Sequence, residues 1–389
     1  MSRRRLVIAT AVLFAILVGV YVARPYVRAA SLVVRAADLG GRAQVLAEAQ
    51  AFAVERQPAH MVPTRHGTVA AQFYVPDAGG GRAVLLVPGI HSMGIEEPRL
   101  TALAADLAAT GLTVMVMALP DLQRYLITPN ATDLIEDAVA WMTAQPGVAP
   151  DGKVGLIGIS FAGGMSIAAA GRPAIRDKVA FVVSFGGHGE LPRVLKYLAA
   201  GEAITVRGIT SPPPHDYGAA VLLYQFADRV VPPEQVEPLR EGVETYLRGS
   251  QLTVVSEDQA EAAFQRAREM ARTMPEPAQT YMNYVNDRSV KELGAALLPF
   301  VSPDGVETPA LSPQLAAEVP AAPVYLLHGD DDAIIPTSES VLLGDHLRQR
   351  GVDVHVLLSA LITHAEVDRS AAAAEAWKLI AFWADVLRQ

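Results

Sequence analysis

The chain has 389 residues, of which 51% are hydrophobic and 19% are charged, and its net charge is −9. These values exclude a disordered chain, which needs low hydrophobicity, and broad electrostatic binding to nucleic acid, which needs a basic surface. Only one stretch is long enough to cross a bilayer, which excludes a polytopic membrane protein, and the lack of cysteine excludes disulfides, thiolate metal sites and a thiol nucleophile.

The N-terminus has the pattern of a membrane anchor. Arg3, Arg4 and Arg5 precede an uncharged run over residues 6–23. As a helix this run spans about 27 Å and just crosses a hydrocarbon core of about 30 Å. The arginines predict a cytoplasmic N-terminus for an anchor over 1–24, with the rest of the chain beyond the membrane, in the periplasm if the source is bacterial. A cleaved signal peptide, and hence a secreted protein, is the alternative.

Residues 25–58 are predicted to form a linker helix, and from residue 59 strands and helices alternate. Short, wholly apolar runs are typical of strands buried on both faces. Such strands are predicted at 83–87, 112–117, 153–159, 180–184, 322–327 and 352–358, after a strand pair within 59–76. Helices are predicted at 99–110, from a cap at Asp133, and at 161–170, 337–350 and 377–387. The alternation predicts an α/β fold, with a mostly parallel sheet covered by helices on both faces and built from 59–194 and 319–389.

Residues 195–318 interrupt this pattern with proline-punctuated helical stretches near 216–230, 233–248, 256–273 and 288–300. Because insertions at strand ends commonly cover α/β active sites, we expect a helical lid over the strand ends. A separate small domain with no part in the site is the alternative.

The most informative stretch is VGLIGISFAGG, residues 154–164, in which an apolar strand runs into Gly158-Ile159-Ser160-Phe161-Ala162 and continues as a small-residue helix. It resembles the nucleophile elbow of the α/β-hydrolase superfamily, G-x-S-x-G, with Ala162 in place of the second glycine. The resemblance implies that Ser160 is the nucleophile.

Two further elements follow in the order Ser…Asp…His. VYLLHGDDDAIIP, residues 324–336, resembles the family's acid turn with Asp332 as the acid, and His364 follows the last predicted strand, where the family carries its base. Asp228 follows a similar apolar run, but no glycine turns the chain there, and Asp330 and Asp331 are nearer rivals, interpreted as turn-forming or solvated. The nearest branch is that of serine esterases and dienelactone hydrolases.

The resemblance implies that His364 takes the proton of Ser160 and that Asp332 orients the imidazole. The oxyanion hole is expected at the backbone amides of Phe161 and Ile90. Two further histidines are candidate substrate-binding residues. His91 either lines the pocket or hydrogen-bonds its own loop, and His188 either faces the pocket or caps the segment after it.

These residues predict a membrane-anchored serine hydrolase of a carboxylic ester, hydrophobic or lipid-like, with the ester and the membrane as its partners. An acyltransferase with the same triad and a non-catalytic binding module are the alternatives. No cofactor or metal is expected, because the sequence has no HExxH, no GxGxxG after the first strand and no Walker loop.

Overall fold

The computed structural model describes residues 3–77, 79, 81–202, 204–253, 255–301, 309–362 and 369–389. Within these residues, the main sheet has nine strands. They are β1 (Val54–Arg56), β2 (His60–Thr64), β3 (Gly67–Pro76), β4 (Ala83–Val87), β5 (Thr113–Met117), β6 (Val154–Ile159), β7 (Val179–Phe185), β10 (Val324–Gly329) and β11 (Val354–Ser359). A small hairpin, β8 (Thr205–Val206) and β9 (Ile209–Thr210), stands apart from this sheet.

The helices outside the insertion are α1 (Arg3–Ala36), α2 (Gly41–Ala49), α3 (Pro98–Ala108), α4 (Pro120–Gln123), α5 (Pro129–Thr143), α6 (Phe161–Gly171), α7 (Leu191–Ala200), α14 (Ser338–Gln349) and α15 (Arg369–Val386), of which α7 reaches into it. Those of the insertion, residues 195–318, are α8 (Asp216–Gln225), α9 (Ala227–Val230), α10 (Pro233–Leu252), α11 (Glu257–Thr273), α12 (Ala278–Asn286) and α13 (Val290–Leu297).

The strand order is β1-β3-β5-β4-β6-β7-β10-β11, with β2 pairing β3 on the same side as β1. From β5 to β11 every pairing is parallel, whereas β3 is antiparallel to β5. The strands β4 and β5 are buried at every residue, as strands covered on both faces must be. We call the end of the sheet where the parallel strands finish the carboxyl edge, and the end where they start the amino edge. The predicted α/β architecture is therefore confirmed.

Three helices differ from the sequence expectation, the closing helix α15 because it begins at Arg369 rather than at Trp377. Helix α5 begins at Pro129 rather than at a cap on Asp133, because proline already has the backbone angle of a first helical turn. The carboxylate of Asp133 instead pairs with Arg172 at 2.6 Å. The linker helix expected over 25–58 is also different, since α1 continues through Pro25 to Ala36 and only the shorter α2 follows.

The second half of α1 packs against the domain. Ala29 and Leu32 are buried, and the ring of Tyr26 stacks on Trp377 of α15 with 5.7 Å between centroids. Arg35 forms an ion pair with Asp106 of α3. The side chains over 17–22 are described and are largely exposed. Thus α1 is one helix with an exposed N-terminal part and a packed C-terminal part.

The insertion meets the core at the carboxyl edge. The amide of His215 donates to the carbonyl of Ala333 at 3.0 Å, in the loop after β10. The amide of Ile127 donates to the side chain of Gln225 at 2.8 Å. The helices expected here are present, with α12 as an addition that the sequence pattern did not indicate.

Candidate active site

The turn between β6 and α6 holds Ser160 in a strained conformation. Its backbone angles are φ 55° and ψ −131°, a region that residues with a side chain rarely adopt. The amide of Ser160 donates to the carbonyl of Phe185 at 2.8 Å, which fixes the turn to the end of β7. Strain of this kind persists only where the surrounding structure stabilises it, so the contacts around Ser160 must hold it in this conformation.

Glycines on both sides of Ser160 permit the close approach of strand and helix. A methyl group at Gly158 would lie 2.4 Å from the carbonyl oxygen of Ala162, and one at Gly163 would lie 2.4 Å from the hydroxyl of Ser184. Ala162, which replaces the second glycine of the elbow pattern, is itself fully buried. The substitution is therefore accommodated, and the close contact on the helix side falls one residue later, at Gly163.

The loop after β4 lies directly against the serine turn. A methyl group at Gly89 would meet the Cβ of Ser160 at 3.3 Å and the carbonyl oxygen of Ile159 at 3.2 Å. The amide of Ile90 follows Gly89, and the amide of Phe161 is the first of α6, one of the N–H groups that a helix leaves without a partner of its own. The two predicted oxyanion donors thus belong to segments that meet at Ser160.

A cavity of about 370 Å³, which we call the first cavity, opens beside Ser160. Its walls include Ile90, Leu100 and Leu103, so much of its lining is aliphatic. His91 also lines it, and its Nδ1 accepts a hydrogen bond from the amide of Met93 at 3.2 Å. Both sequence interpretations of His91 therefore apply at once. Burial lowers the pKa of His91, which favours the neutral imidazole.

Asp332 lines a second cavity of about 440 Å³, together with Phe185 and Gly186. Its Oδ1 accepts hydrogen bonds from the amides of Ile334 at 2.8 Å and Ile335 at 3.0 Å. Phe185 borders both cavities, so Ser160 and Asp332 lie on the two sides of one residue. The structure therefore brings the predicted nucleophile and acid to neighbouring positions on the carboxyl edge.

The other aspartates differ from Asp332. Asp228 lies on α9 with its side chain about half exposed, and the segment before it is the helix α8 rather than a strand. Asp331 also borders the second cavity, and burial raises the pKa of Asp330. Among these four, Asp332 is the one whose carboxylate is fixed by two backbone amides.

His364, the predicted base, lies outside the described residues. The described chain before it ends with the short 3₁₀ turn Ala360–Ile362 after β11. Ile362 lines the second cavity, as Asp332 does. The last described residue before His364 therefore lies in the wall of the cavity that Asp332 lines.

His188 lies behind α6 and lines neither cavity. Its side chain is fully buried, with Nε2 2.6 Å from the carbonyl oxygen of Leu311 and its ring 5.6 Å from that of Phe161. A methyl group at Gly164 would meet this ring at 2.7 Å. The structure therefore places His188 as a packing partner of α6 and does not bring it to the predicted substrate pocket, because the segment after β7 passes beneath the helix.

No sequence pattern predicted a polar network that joins the insertion to the loop after β4, which we call the oxyanion loop because it carries the predicted donor Ile90. The carboxamide of Gln251, at the end of α10, accepts hydrogen bonds from Ser92 at 3.0 Å and Tyr125 at 3.4 Å, and donates to the hydroxyl of Tyr217 at 3.1 Å. That hydroxyl donates in turn to the carbonyl of Ile90 at 3.5 Å. Burial raises the pKa of Tyr125 to about 12, so its hydroxyl stays protonated as a donor. Only tertiary packing reveals the role of these residues.

The strand order decides the fold. Parallel strands in the order β5-β4-β6-β7-β10-β11 stand beside an antiparallel β3, and a strained serine turn follows β6 near the centre of the sheet. The chain has the α/β-hydrolase fold. In such sheets ligands bind at the carboxyl ends of the strands, where both cavities lie.

Solved structures with similar folds include three hydrolases. An esterase from Pyrobaculum calidifontis is 17% identical over 93% of each chain, with a TM-score of 0.43. The rice cell wall degrading esterase LipA from Xanthomonas oryzae is 14% identical over 83% of this chain and 87% of its own, with a TM-score of 0.45. An acylaminoacyl peptidase from Pyrococcus horikoshii is 11% identical over 89% of this chain and 42% of its own, also with a TM-score of 0.45.

No protein-family model matches the sequence, and no curated protein matches it. The assignment of the fold rests on the strand order and on the turn at Ser160, not on these similarities.

Proposed function

We propose that the protein is a membrane-anchored serine hydrolase that cleaves a carboxylic ester through an acyl-enzyme on Ser160. The observation that carries the proposal is the strained turn of Ser160, which borders a partly aliphatic cavity and adjoins the first amide of α6. A serine in a strained strand-to-helix turn presents its hydroxyl to a ligand, whereas a serine in an ordinary turn has no need of the strain.

The proposed reaction has two steps. The hydroxyl of Ser160 attacks the ester carbonyl while His364 takes its proton, and the amides of Phe161 and Ile90 stabilise the negative oxygen that forms. His364 then protonates the departing alcohol. In the second step water attacks the acyl-enzyme with His364 again as the base, which releases the carboxylic acid and restores Ser160.

Asp332 has the geometry expected of the acid in this scheme. The amides of Ile334 and Ile335 hold its Oδ1, so the carboxylate plane is fixed. Its Oδ2 lies on the side of Gly186, where a methyl group would be 3.4 Å away. We propose that Oδ2 accepts the Nδ1–H of His364, which would hold the imidazole in the tautomer that accepts a proton from Ser160.

The packing of α1 supports retention of the N-terminal segment. In the described residues, Leu17–Ala36 has the length and hydropathy of a membrane span, but its second half packs on the domain. We therefore place the span in the apolar run 6–23. A signal-peptide cut near Ala29 would remove Tyr26 and Arg28, which contact Trp377 and Phe52.

A fluorophosphonate probe tests the nucleophile. The full-length protein should be labelled, and Ser160→Ala should abolish both labelling and hydrolysis of p-nitrophenyl esters, with a loss in kcat on the order of 10⁶-fold. Ser166→Ala is the matched control, because its buried hydroxyl has no hydrogen-bond partner within the described part of the chain. Equal labelling of Ser160→Ala and wild type would refute the proposal, and transfer of the acyl group to an added alcohol faster than to water would favour an acyltransferase.

Membrane extraction tests the anchor. The full-length protein should stay with the membrane fraction in alkaline carbonate, and its mature N-terminus should precede residue 6. A soluble mature protein that begins near Ala30 would show a cleaved signal peptide instead.

A further inference from the structure

The packed part of α1 starts at the amino edge of the sheet. The guanidinium of Arg28 lies over the ring of Phe52 at 5.4 Å, and a methyl group at Gly111 would meet it at 3.5 Å. Gly111 comes just before β5, and its carbonyl accepts a hydrogen bond from the amide of Gly81, just before β4. The guanidinium of Arg28 therefore lies at the amino edge, where β4 and β5 begin.

The C-terminal segment packs against the same part of α1. The guanidinium of Arg388 lies 4.8 Å from the ring centre of Tyr26. The next residue, Gln389, donates to the hydroxyl of Tyr325 at 2.9 Å, and Tyr325 is the second residue of β10. Tyr26, which also stacks on Trp377, thus lies beside the C-terminal half of α15.

The direction of α1 follows from its contacts with α3. Helix α3 begins at the carboxyl edge, where Leu100 lines the first cavity, and ends near Gly111 at the amino edge. Arg28 lies level with Gly111, whereas Arg35 pairs with Asp106, more than a turn closer to the cavity. From Arg28 to Arg35, α1 therefore runs toward the carboxyl edge, where the site lies. The part of α1 before Arg28 extends in the opposite direction, away from the site.

The height of the site above the membrane follows from helix and strand geometry. From Arg28, level with the amino edge, back to the end of the apolar run at residue 23 is about 7.5 Å of helix, and from Lys153 to Ser160 along β6 is about 23 Å. A headgroup layer occupies about 7 Å of this height. With α1 and β6 along the membrane normal, Ser160 stands on the order of 20 Å beyond the headgroups, on the side of the domain that faces away from the bilayer.

We infer that the site takes its ester from the aqueous phase beyond the membrane, and not from the bilayer that holds α1. This inference rests on the proposed function and on the proposed anchor. An ester group of a membrane lipid would have to rise roughly 20 Å past the headgroups to reach Ser160, which draws its acyl chains into water. The partly aliphatic first cavity then selects a hydrophobic acyl group on a molecule that is soluble, or that stands on a surface opposite the membrane.

The orientation is tested without reference to activity. The chain has no cysteine, so single cysteines can be labelled specifically. Lys153→Cys places a donor dye at the amino edge, and Met93→Cys, at an exposed residue of the loop after β4, places it at the carboxyl edge. In proteoliposomes with acceptor dyes on the headgroups, and a Förster distance shorter than the sheet, energy transfer should be strong from Lys153→Cys and weak from Met93→Cys.

The substrate source is tested with one chromogenic ester in three forms, each offered to the full-length protein in proteoliposomes. The ester is supplied free in solution, on a lipid through a short spacer, and on a lipid through a polyethylene glycol long enough to exceed the height of the site. We expect hydrolysis of the free and long-spacer forms and at least a tenfold lower rate for the short-spacer form. Detergent-solubilised protein is the control, because there all three forms should be cleaved.

The outcomes separate the two proposals. Equal or reversed energy transfer, or cleavage of the short-spacer ester as fast as the free one, overturns the inference. Failure to cleave any form, even in detergent, overturns the proposed function, and the energy-transfer result then still decides the orientation of the domain.

Discussion

The central strands and the insertion both reach the carboxyl edge, where the insertion lines the second cavity with His215, Tyr217 and Ser250. The strands β4 and β5 are buried at every residue, and the turn of Ser160 is fixed by glycine contacts and by a backbone bond to Phe185. The insertion packs its helix α8 into the same hydrophobic core as the strands, and it contacts the oxyanion loop through side-chain hydrogen bonds of Gln251 and Tyr217. Dense packing makes the position of Ser160 part of the fold, whereas the contact between the insertion and the oxyanion loop depends on a few polar side chains.

The largest effect is expected from the acid on the sheet. Asp332→Asn should lower kcat by up to about 10⁴-fold, because the amide would favour the wrong tautomer of His364, and should leave the thermal midpoint nearly unchanged. Asp228→Asn, on the insertion, is the matched control and should keep wild-type kcat. A steep loss in the control instead would move the acid into the insertion.

A methyl group inside the sheet–helix contact should destabilise the fold. In Gly163→Ala the new atom would lie 2.4 Å from the hydroxyl of Ser184 and 3.1 Å from the Cα of Gly187. Overpacking of this kind costs about 1–3 kcal/mol in the free energy of unfolding, measurable by urea denaturation. Gly147→Ala, which has nothing within 4 Å of the added methyl, is the control and should be neutral. A neutral Gly163→Ala would contradict the view that close packing holds the serine.

The network at Gln251 should affect catalysis more than stability. Gln251→Leu removes the acceptor for Ser92 and the donor to Tyr217. Because the oxyanion loop is then less well positioned, we expect the activation free energy to rise by about 1.4 kcal/mol and kcat to fall about tenfold. KM and the thermal midpoint should change little. Gln265→Leu, an exposed glutamine on α11, is the control. An unchanged kcat in Gln251→Leu would show that the oxyanion loop holds its position without the insertion.

The smallest effect is a pH-dependent loss of stability when Asp216, in the insertion, is replaced. Although burial opposes it, hydrogen bonds from His215 and Tyr246 lower the pKa of Asp216 to about 2. A carboxylate with a lowered pKa stabilises the fold above its unfolded pKa of about 4, and this contribution disappears as the pH falls toward 2. Asp216→Asn should therefore lower the free energy of unfolding by about 1 kcal/mol at pH 6 and by less at pH 3. A difference that grows as the pH falls would reverse this sign.

Features that local sequence patterns determine could be predicted, whereas features that depend on contacts between distant residues could not. Buried strands such as β4 have wholly apolar sequences, and the glycine spacing around Ser160 is required by contacts that a single side chain would prevent, so both were predictable. The continuous α1 was not, because the packing of Tyr26 on Trp377 joins residues far apart in the chain. Gln251 and the burial of His188 depend likewise on tertiary neighbours and have no local pattern.

Phe185 has a consequence for selectivity. It borders both cavities, and its carbonyl accepts the hydrogen bond from the amide of Ser160, so a shift of Phe185 would also displace Ser160. If the acyl half of an ester occupies one cavity and the alcohol half the other, Phe185 lies between the two halves. Variation of Leu103 on one side and of Ser250 on the other could then change the preference for each half independently, and new specificities would be reached in separate steps.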